Sequence, residues 1–283
     1  MRFLIGFSFF AIALAGGYFD GGIVAAALAN QPHDGGLGFQ SSAAPIMDDL
    51  VAFHTFLLWI ITIIVVFVTL LLGIVAWRFN RKRNPNPSRT THNTLLEVAW
   101  TVVPVMILVV IAIPSFRLLY KQIVLPEAEM TVKAVGYQWY WGYEYPDHGD
   151  ISVISNMIPD DQLQPGQPRL LAADYDLVVP VDTTVRVIVT ASDVIHAFAV
   201  PSFGVKIDAI PGRLNETWFR ADRTGMFYGQ CSELCGTRHA FMPISVKVVT
   251  KEEFGEWVAR EQQAALGGDG KLKLAEAPAA DAR

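Results

Sequence analysis

Only two cysteines, Cys231 and Cys235, occur in the 283 residues, so no disulfide-stapled scaffold is possible. Charge is scarce as well: charged residues make up 17% of the chain, against about 25% in an average soluble domain. No basic stripe is present and the net charge is −5, so there is no field to hold a nucleic-acid backbone. There is no internal repeat, and no Cys-x-x-Cys-His that would attach a c-type haem. In place of charge the chain has oil, with 52% hydrophobic residues and a mean hydropathy of +0.34. That excludes a disordered or collagen-like chain and points to segments that meet lipid.

The oil is concentrated in three places. Met1-Arg2, the apolar run Phe3 to Ala15 and the exit Ala27-Leu-Ala29 form the parts of a secretory signal peptide. Cleavage after Ala29 is expected, leaving an extracytoplasmic segment over 30–50. Phe56 to Trp77 then runs 22 residues without a charge, and Val98 to Phe116 runs 19 with Pro104 and Pro114 inside. Each reaches the roughly 20 residues that a helix needs to cross about 30 Å of hydrocarbon. A helical membrane hairpin over 51–120 is therefore predicted. Arg78, Arg81, Lys82, Arg83 and Arg89 crowd its short loop, 78–93, with no acidic residue among them. Positive loops stay in the cytoplasm, so both ends of the chain lie on the other side. Glu97, at the cytoplasmic edge of the second span, reads from its neighbours as a helix N-terminal carboxylate, with Thr94 as a candidate cap.

From Tyr120 the pattern changes to short alternating strands. Val132 to Tyr145 reads as one strand, with Trp139, Trp141, Tyr143 and Tyr145 on one face. Strands are also expected at 174–180, 184–190, 216–220 and 244–249, separated by turn signals such as Gln164-Pro-Gly and Pro211-Gly. This pattern predicts a β-sandwich or small barrel over 121–260, with a short helix from Lys251 to Ala265 and a flexible tail over 261–283. From Lys121 to Arg283 there are 15 Lys and Arg against 22 Asp and Glu, a balance of −7. Such a domain suits a basic partner whose encounter rate falls with salt.

One string carries chemistry. Tyr228-Gly-Gln-Cys231-Ser-Glu233-Leu-Cys235-Gly-Thr-Arg-His239-Ala-Phe-Met242 packs four soft or borderline ligands into twelve residues, and His196 is a further candidate. Imidazole, thiolate and thioether together point to copper. A second thiolate allows two sulfurs to bridge two metals, with one imidazole on each, and such a pair can share an electron. A Cys231–Cys235 disulfide, a structural zinc site and a thiol-based copper carrier are the alternatives; zinc leaves Met242 unexplained. The residue types favour electron transfer.

The hairpin, Gln138-Trp-Tyr-Trp-Gly-Tyr-Glu-Tyr145, Asp208-Ala-Ile-Pro-Gly-Arg-Leu-Asn215 and the Cys231–Met242 string follow one another in a set order. Across 43–259 the chain resembles subunit II of the bacterial cytochrome c oxidases of the haem–copper family. The resemblance implies a cupredoxin-like Greek-key sandwich holding a binuclear CuA centre of two copper ions. Its ligands would be His196, Cys231, Cys235, His239 and Met242, with Glu233 giving its backbone carbonyl. The Glu233 side chain would also reach a magnesium or manganese ion shared with subunit I, with Asp208 in the matching region. Trp139 matches the aromatic through which electrons arrive from cytochrome c. Glu144, Asp150, Asp174 and Asp193 match acids that guide that basic donor, while Ser192 and Ile154 stand where the family has further acids. Glu97 matches the carboxylate at the mouth of a proton-uptake channel. The resemblance implies a bacterial inner-membrane location with the copper domain in the periplasm, and other oxidase subunits as partners. The alternative function is a membrane-anchored copper-binding or copper-delivery protein outside any oxidase. A quinol-oxidase subunit would lack these ligands, and a nitrous-oxide reductase would lack the basic-looped hairpin.

Overall fold

The computed structural model describes residues 30–149 and 151–267. The signal-peptide reading of 1–29, Asp150 and most of the tail reading lie outside the described residues. The chain divides into two compact units, 48–124 and the remainder.

The smaller unit is the helical hairpin. Helix α1 spans Pro45–Arg78 and helix α2 spans Thr94–Ile123. Both outrun their uncharged stretches, because polar flanks such as Asp48, Asp49 and Lys121 extend a helix beyond the hydrocarbon without adding hydropathy. The apolar windows of both helices are unburied within the chain, as lipid-facing helices are. Asn80 ends α1: its Nδ2 donates to Trp77 O at 2.7 Å, and its Oδ1 accepts from Lys82 N and Arg83 N. The N-cap of α2 is Asn93 and not Thr94; its Oδ1 accepts from Leu96 N at 3.2 Å. Thr94 is already helical. Lys121 pairs with Asp49 at the opposite end of the hairpin.

The larger unit is a β-sandwich. One sheet has the order β3 (Ile151–Ser155), β2 (Tyr140–Tyr145), β1 (Met130–Tyr137), β5 (Thr184–Ala191) and β8 (Asn215–Arg220). The other joins β4 (Leu177–Pro180), β10 (Pro243–Val249) and β9 (Gly225–Gln230), and a ribbon pairs β6 (His196–Val200) with β7 (Val205–Ala209). β1 and β5 run parallel, as do β4 and β10, so sequence neighbours are separated in the Greek-key manner. β5 shows why these residues form a half-buried strand: Val185, Val187, Val189 and Ala191 point inward while the residues between them face out. Trp141, Tyr143, Tyr145, Phe198, Phe219, Phe227 and Ile244 fill the space between the layers. The Tyr145 hydroxyl is satisfied inside, accepting from Val178 N at 2.9 Å and donating to Val178 O at 3.1 Å.

The single strand expected over Val132 to Tyr145 is a hairpin. Tyr137 pairs with Tyr140 across a turn at Gln138 and Trp139, and the two tyrosine rings stack 4.7 Å apart. Trp139 therefore belongs to the turn and does not share a face with Trp141. The terminal helix, α3, runs Lys251–Gly267, two residues beyond the expected end at Ala265 and into the stretch assigned to the tail. Strands β3, β6, β7 and β9 were not expected.

A strap of residues 30–44 completes the sandwich. Ala43 N donates to Ser202 O at 2.8 Å, and Ala43 O accepts from Asp222 N at 3.0 Å. Asn30 Nδ2 donates to Met226 O at 3.0 Å. The Arg223 guanidinium reaches Asn30 Oδ1, Ser41 Oγ and Ser42 O together.

Candidate metal centre

The motif loop leaves β9 after Gln230 and enters β10 at Pro243, and its two ends are tied by Cys231 N donating to Met242 O at 3.3 Å. Ser232 N donates to Ala197 O at 3.1 Å, which pins the loop beside His196, the first residue of β6. Two glycines make this approach possible. A Cβ on Gly136 of β1 would lie 2.8 Å from the His196 ring, and a Cβ on Gly229 of β9 would lie 1.8 Å from Ala199 O on β6. Only hydrogen at both positions lets β1, β6 and β9 converge at the site.

The five side chains anticipated from the motif meet at one end of the sandwich. The two sulfurs are 3.8 Å apart, far beyond the bond of about 2.05 Å in a disulfide, and both cysteines are free. His196 Nδ1 lies 3.9 Å from Cys231 Sγ, and His239 Nδ1 lies 3.5 Å from Cys235 Sγ. Each sulfur thus has its own imidazole. Met242 Sδ is 3.5 Å from Cys235 Sγ, and the Glu233 carbonyl is 3.4 Å from Cys231 Sγ. His196, Cys231, Cys235 and Met242 are buried and His239 is half-buried.

Electrostatics opposes full ionisation of this cluster. Burial pushes the Cys231 thiol up, but bonding with His196 and with the backbone at Glu233 and Ala197 outweighs it and brings the thiol down to about 6. Cys235 goes the other way, to about 12, because burial and the negative charge of its neighbour both oppose a second thiolate. With the sulfurs 3.8 Å apart, both become thiolates together only when a cation lies beside them. The donor set of two thiolates, two imidazoles, a thioether and a carbonyl fits soft copper better than zinc.

A further carboxylate supports the site. Asp193 Oδ1 lies 2.9 Å from His196 Nε2 and accepts from Val194 N, while Oδ2 accepts from Gln138 N at 2.6 Å. Burial alone would raise the Asp193 carboxyl, but these bonds from His196 and the two amides hold it below the usual range. The His196 imidazole is disfavoured as a cation by burial, yet Cys231 and Asp193 raise its proton affinity. Sequence reasoning placed Asp193 among docking acids and missed this bond; the Asp-x-x-His spacing was the available cue. Trp139 Nε1 and Gln138 Nε2 both donate to Cys235 O, at 3.2 and 2.8 Å. The indole is thus one hydrogen bond from the backbone of a sulfur ligand.

The other anticipated residues are dispersed. Glu144 accepts with both oxygens from Lys133 Nζ at 3.0 Å, and Asp174 accepts from Asn156 N at 2.7 Å and from its side chain. Exposed Asp208 on β7 pairs with Ala197 of β6, one residue from His196. The Glu233 side chain is exposed. Glu97 is half-buried in the first turn of α2, a separate unit from the cluster.

A membrane hairpin joined to a Greek-key sandwich, with buried soft donors on the loop before its last strand, defines a membrane-anchored cupredoxin-like metalloprotein. Two family models match: cytochrome C oxidase subunit II, periplasmic domain, at residues 130–249, and the transmembrane domain of the same subunit at 32–118. The chain belongs to the cytochrome c oxidase subunit II family. It is 56% identical over 196 residues to the probable cytochrome c oxidase subunit 2 of Rickettsia bellii, covering 69% of this chain and 73% of that one. Against the Rickettsia felis protein of the same description identity is 55%, over 69% of this chain and 62% of the relative. Cytochrome c oxidase subunit 2 of Cereibacter sphaeroides is 53% identical over 65% of this chain and 66% of its own length. The crystal structure of the periplasmic domain of subunit II (CoxB) from Bradyrhizobium japonicum is 59% identical, covering 50% of this chain and 99% of that chain with a TM-score of 0.47. Family membership favours an oxidase subunit, working with other oxidase subunits, over a free-standing copper carrier.

Proposed function

We propose that this chain receives electrons from cytochrome c on the outer face of the bacterial inner membrane and delivers them to haem in subunit I, where oxygen is reduced to water and protons are pumped. The observation that carries the reading is the pair of sulfurs 3.8 Å apart, each with its own imidazole. Two copper ions held there would take up and release one electron at a time. Cys231, Cys235, His196, His239, Met242 and the Glu233 carbonyl would together hold the copper. Burial of His196, Cys231, Cys235 and Met242 limits water at the site and restrains those ligands when the charge changes. Trp139 would conduct electrons inward through its bond to the Cys235 carbonyl.

The rest of the reading follows the family. The Glu233 carboxylate, with Asp208 nearby in sequence pattern, would hold magnesium or manganese at the border with subunit I. Glu97 would take protons from the cytoplasm, and Glu144, Asp150, Asp174 and Asp193 would contribute negative field for a basic cytochrome. A signal peptide would be removed after Ala29, leaving the copper domain in the periplasm. Metal analysis with absorption spectroscopy of the purified subunit tests the core of this proposal. Two copper ions per chain and a purple mixed-valence spectrum are expected; a colourless protein holding one zinc ion overturns it.

A further inference from the structure

The hairpin carries a groove that the electron-transfer reading leaves unused. Toward the end away from the 78–93 loop, α1 and α2 flank an open groove of about 550 Å³ lined by Asp49, Phe53, Phe56, Pro114, Arg117 and Lys121. Phe56 also lines a second hollow of about 420 Å³, whose other walls include Ile60, Ile64, Val103, Ile107 and Val110. A charged groove and an apolar groove therefore share one wall and run on along the same pair of helices.

Depth fixes the chemistry of the charged groove. Arg117 is the first charge after the 19 uncharged residues Val98–Phe116, so its guanidinium sits where hydrocarbon gives way to headgroups. Lys121 is paired with Asp49, which leaves the three charged walls with a sum of +1, centred on exposed Arg117. Asp48 lies on the exposed flank of the helix beside them. An arginine fork at that depth suits a phosphate, and the groove below it suits a hydrocarbon chain.

We propose that the hairpin binds one anionic phospholipid of the outer leaflet, its phosphate on Arg117 and an acyl chain in the groove lined by Phe56, Ile64 and Ile107. The oxidase complex, extracted in mild detergent and examined by native mass spectrometry, tests this. The wild type is expected to retain one phosphatidylglycerol- or cardiolipin-class molecule that Arg117→Gln loses by about fivefold in occupancy, with partial rescue in Arg117→Lys. Ile107→Trp, which fills the groove and leaves the cation intact, is expected to lose the same lipid; it decides the matter if the arginine variant does not assemble. Delipidated complex should regain the lipid from vesicles containing phosphatidylglycerol and not from phosphatidylethanolamine vesicles or inorganic phosphate. Equal lipid content in all variants overturns the proposal. So does rebinding of inorganic phosphate alone, or a cysteine at position 56 that cross-links to another subunit's helix in complexes free of lipid.

Discussion

Replacing Asp193 by alanine separates two roles that the same carboxylate could play. His196 has no exposed surface, and its Nε2 lies 2.9 Å from Asp193 Oδ1 while Nδ1 faces Cys231. That bond sets which ring nitrogen is free to bind metal. The alanine variant leaves the buried Nε2–H without its acceptor and also releases the Gln138 amide. Loss of such a supporting carboxylate costs roughly 10–100-fold in metal affinity, or about 1.4–2.7 kcal/mol. Copper affinity is measured by competition with a chelator of known strength, using full-length chain in detergent. Asp193→Asn, whose amide oxygen still accepts, is expected to fall between the wild type and the alanine variant. The salt dependence of turnover with cytochrome c is followed in parallel. A copper affinity within twofold of wild type, together with a flatter salt dependence, would refute the positioning argument and leave Asp193 as a docking charge only.

Three other outcomes are expected. Gly229→Ala puts a methyl group on Ala199 O, so one strand must move; a loss of about 3 kcal/mol in denaturant unfolding, with reduced copper content, is expected, and normal values for both would contradict the close approach. Tyr145→Phe strands the Val178 amide and carbonyl in the core, costing about 1–3 kcal/mol, readable as a lower Tm. Asp176 is raised by burial, against the bond from Ser245 and the charge of Lys247. A raised carboxyl contributes stability below its unfolded value of about 3.9 and loses it as pH climbs through the folded value. Asp176→Asn should therefore melt higher than wild type at pH 7 and approach it at pH 3.5; parallel melting curves across that window would exclude the effect.

The hairpin was legible because an uncharged run of about 20 residues has few other uses. Its ends were not, since residues 45–50 and 121–123, which lengthen the two helices, are held by packing, capping and charge instead of hydropathy. The β1–β2 turn was misread because aromatic alternation continues through it. Buried positions are even-numbered at Val132 and Ala134 and odd-numbered at Trp141, Tyr143 and Tyr145, and that change of parity marks the turn. Strands β6 and β9 escaped because one is buried on every residue and the other contains Gly225 and Gly229, so neither alternates. Residue types picked out Cys231, Cys235, His239 and Met242 in one string with His196 as a further candidate, and the family resemblance joined the five into one ligand set. Residue type does not reveal the carboxylate behind His196; only the Asp-x-x-His spacing ahead of β6 hinted at it.

The order of synthesis gives the strap of residues 30–44 an unusual history. Its anchors, Ser202, Asp222, Arg223 and Met226, lie 159 to 196 positions further along the chain. Asn30 and Ala43 are therefore translated first among the described residues, yet must wait for nearly the whole protein before they have anything to hold. The earliest-made of the described segments is the closing stitch of the folded lobe.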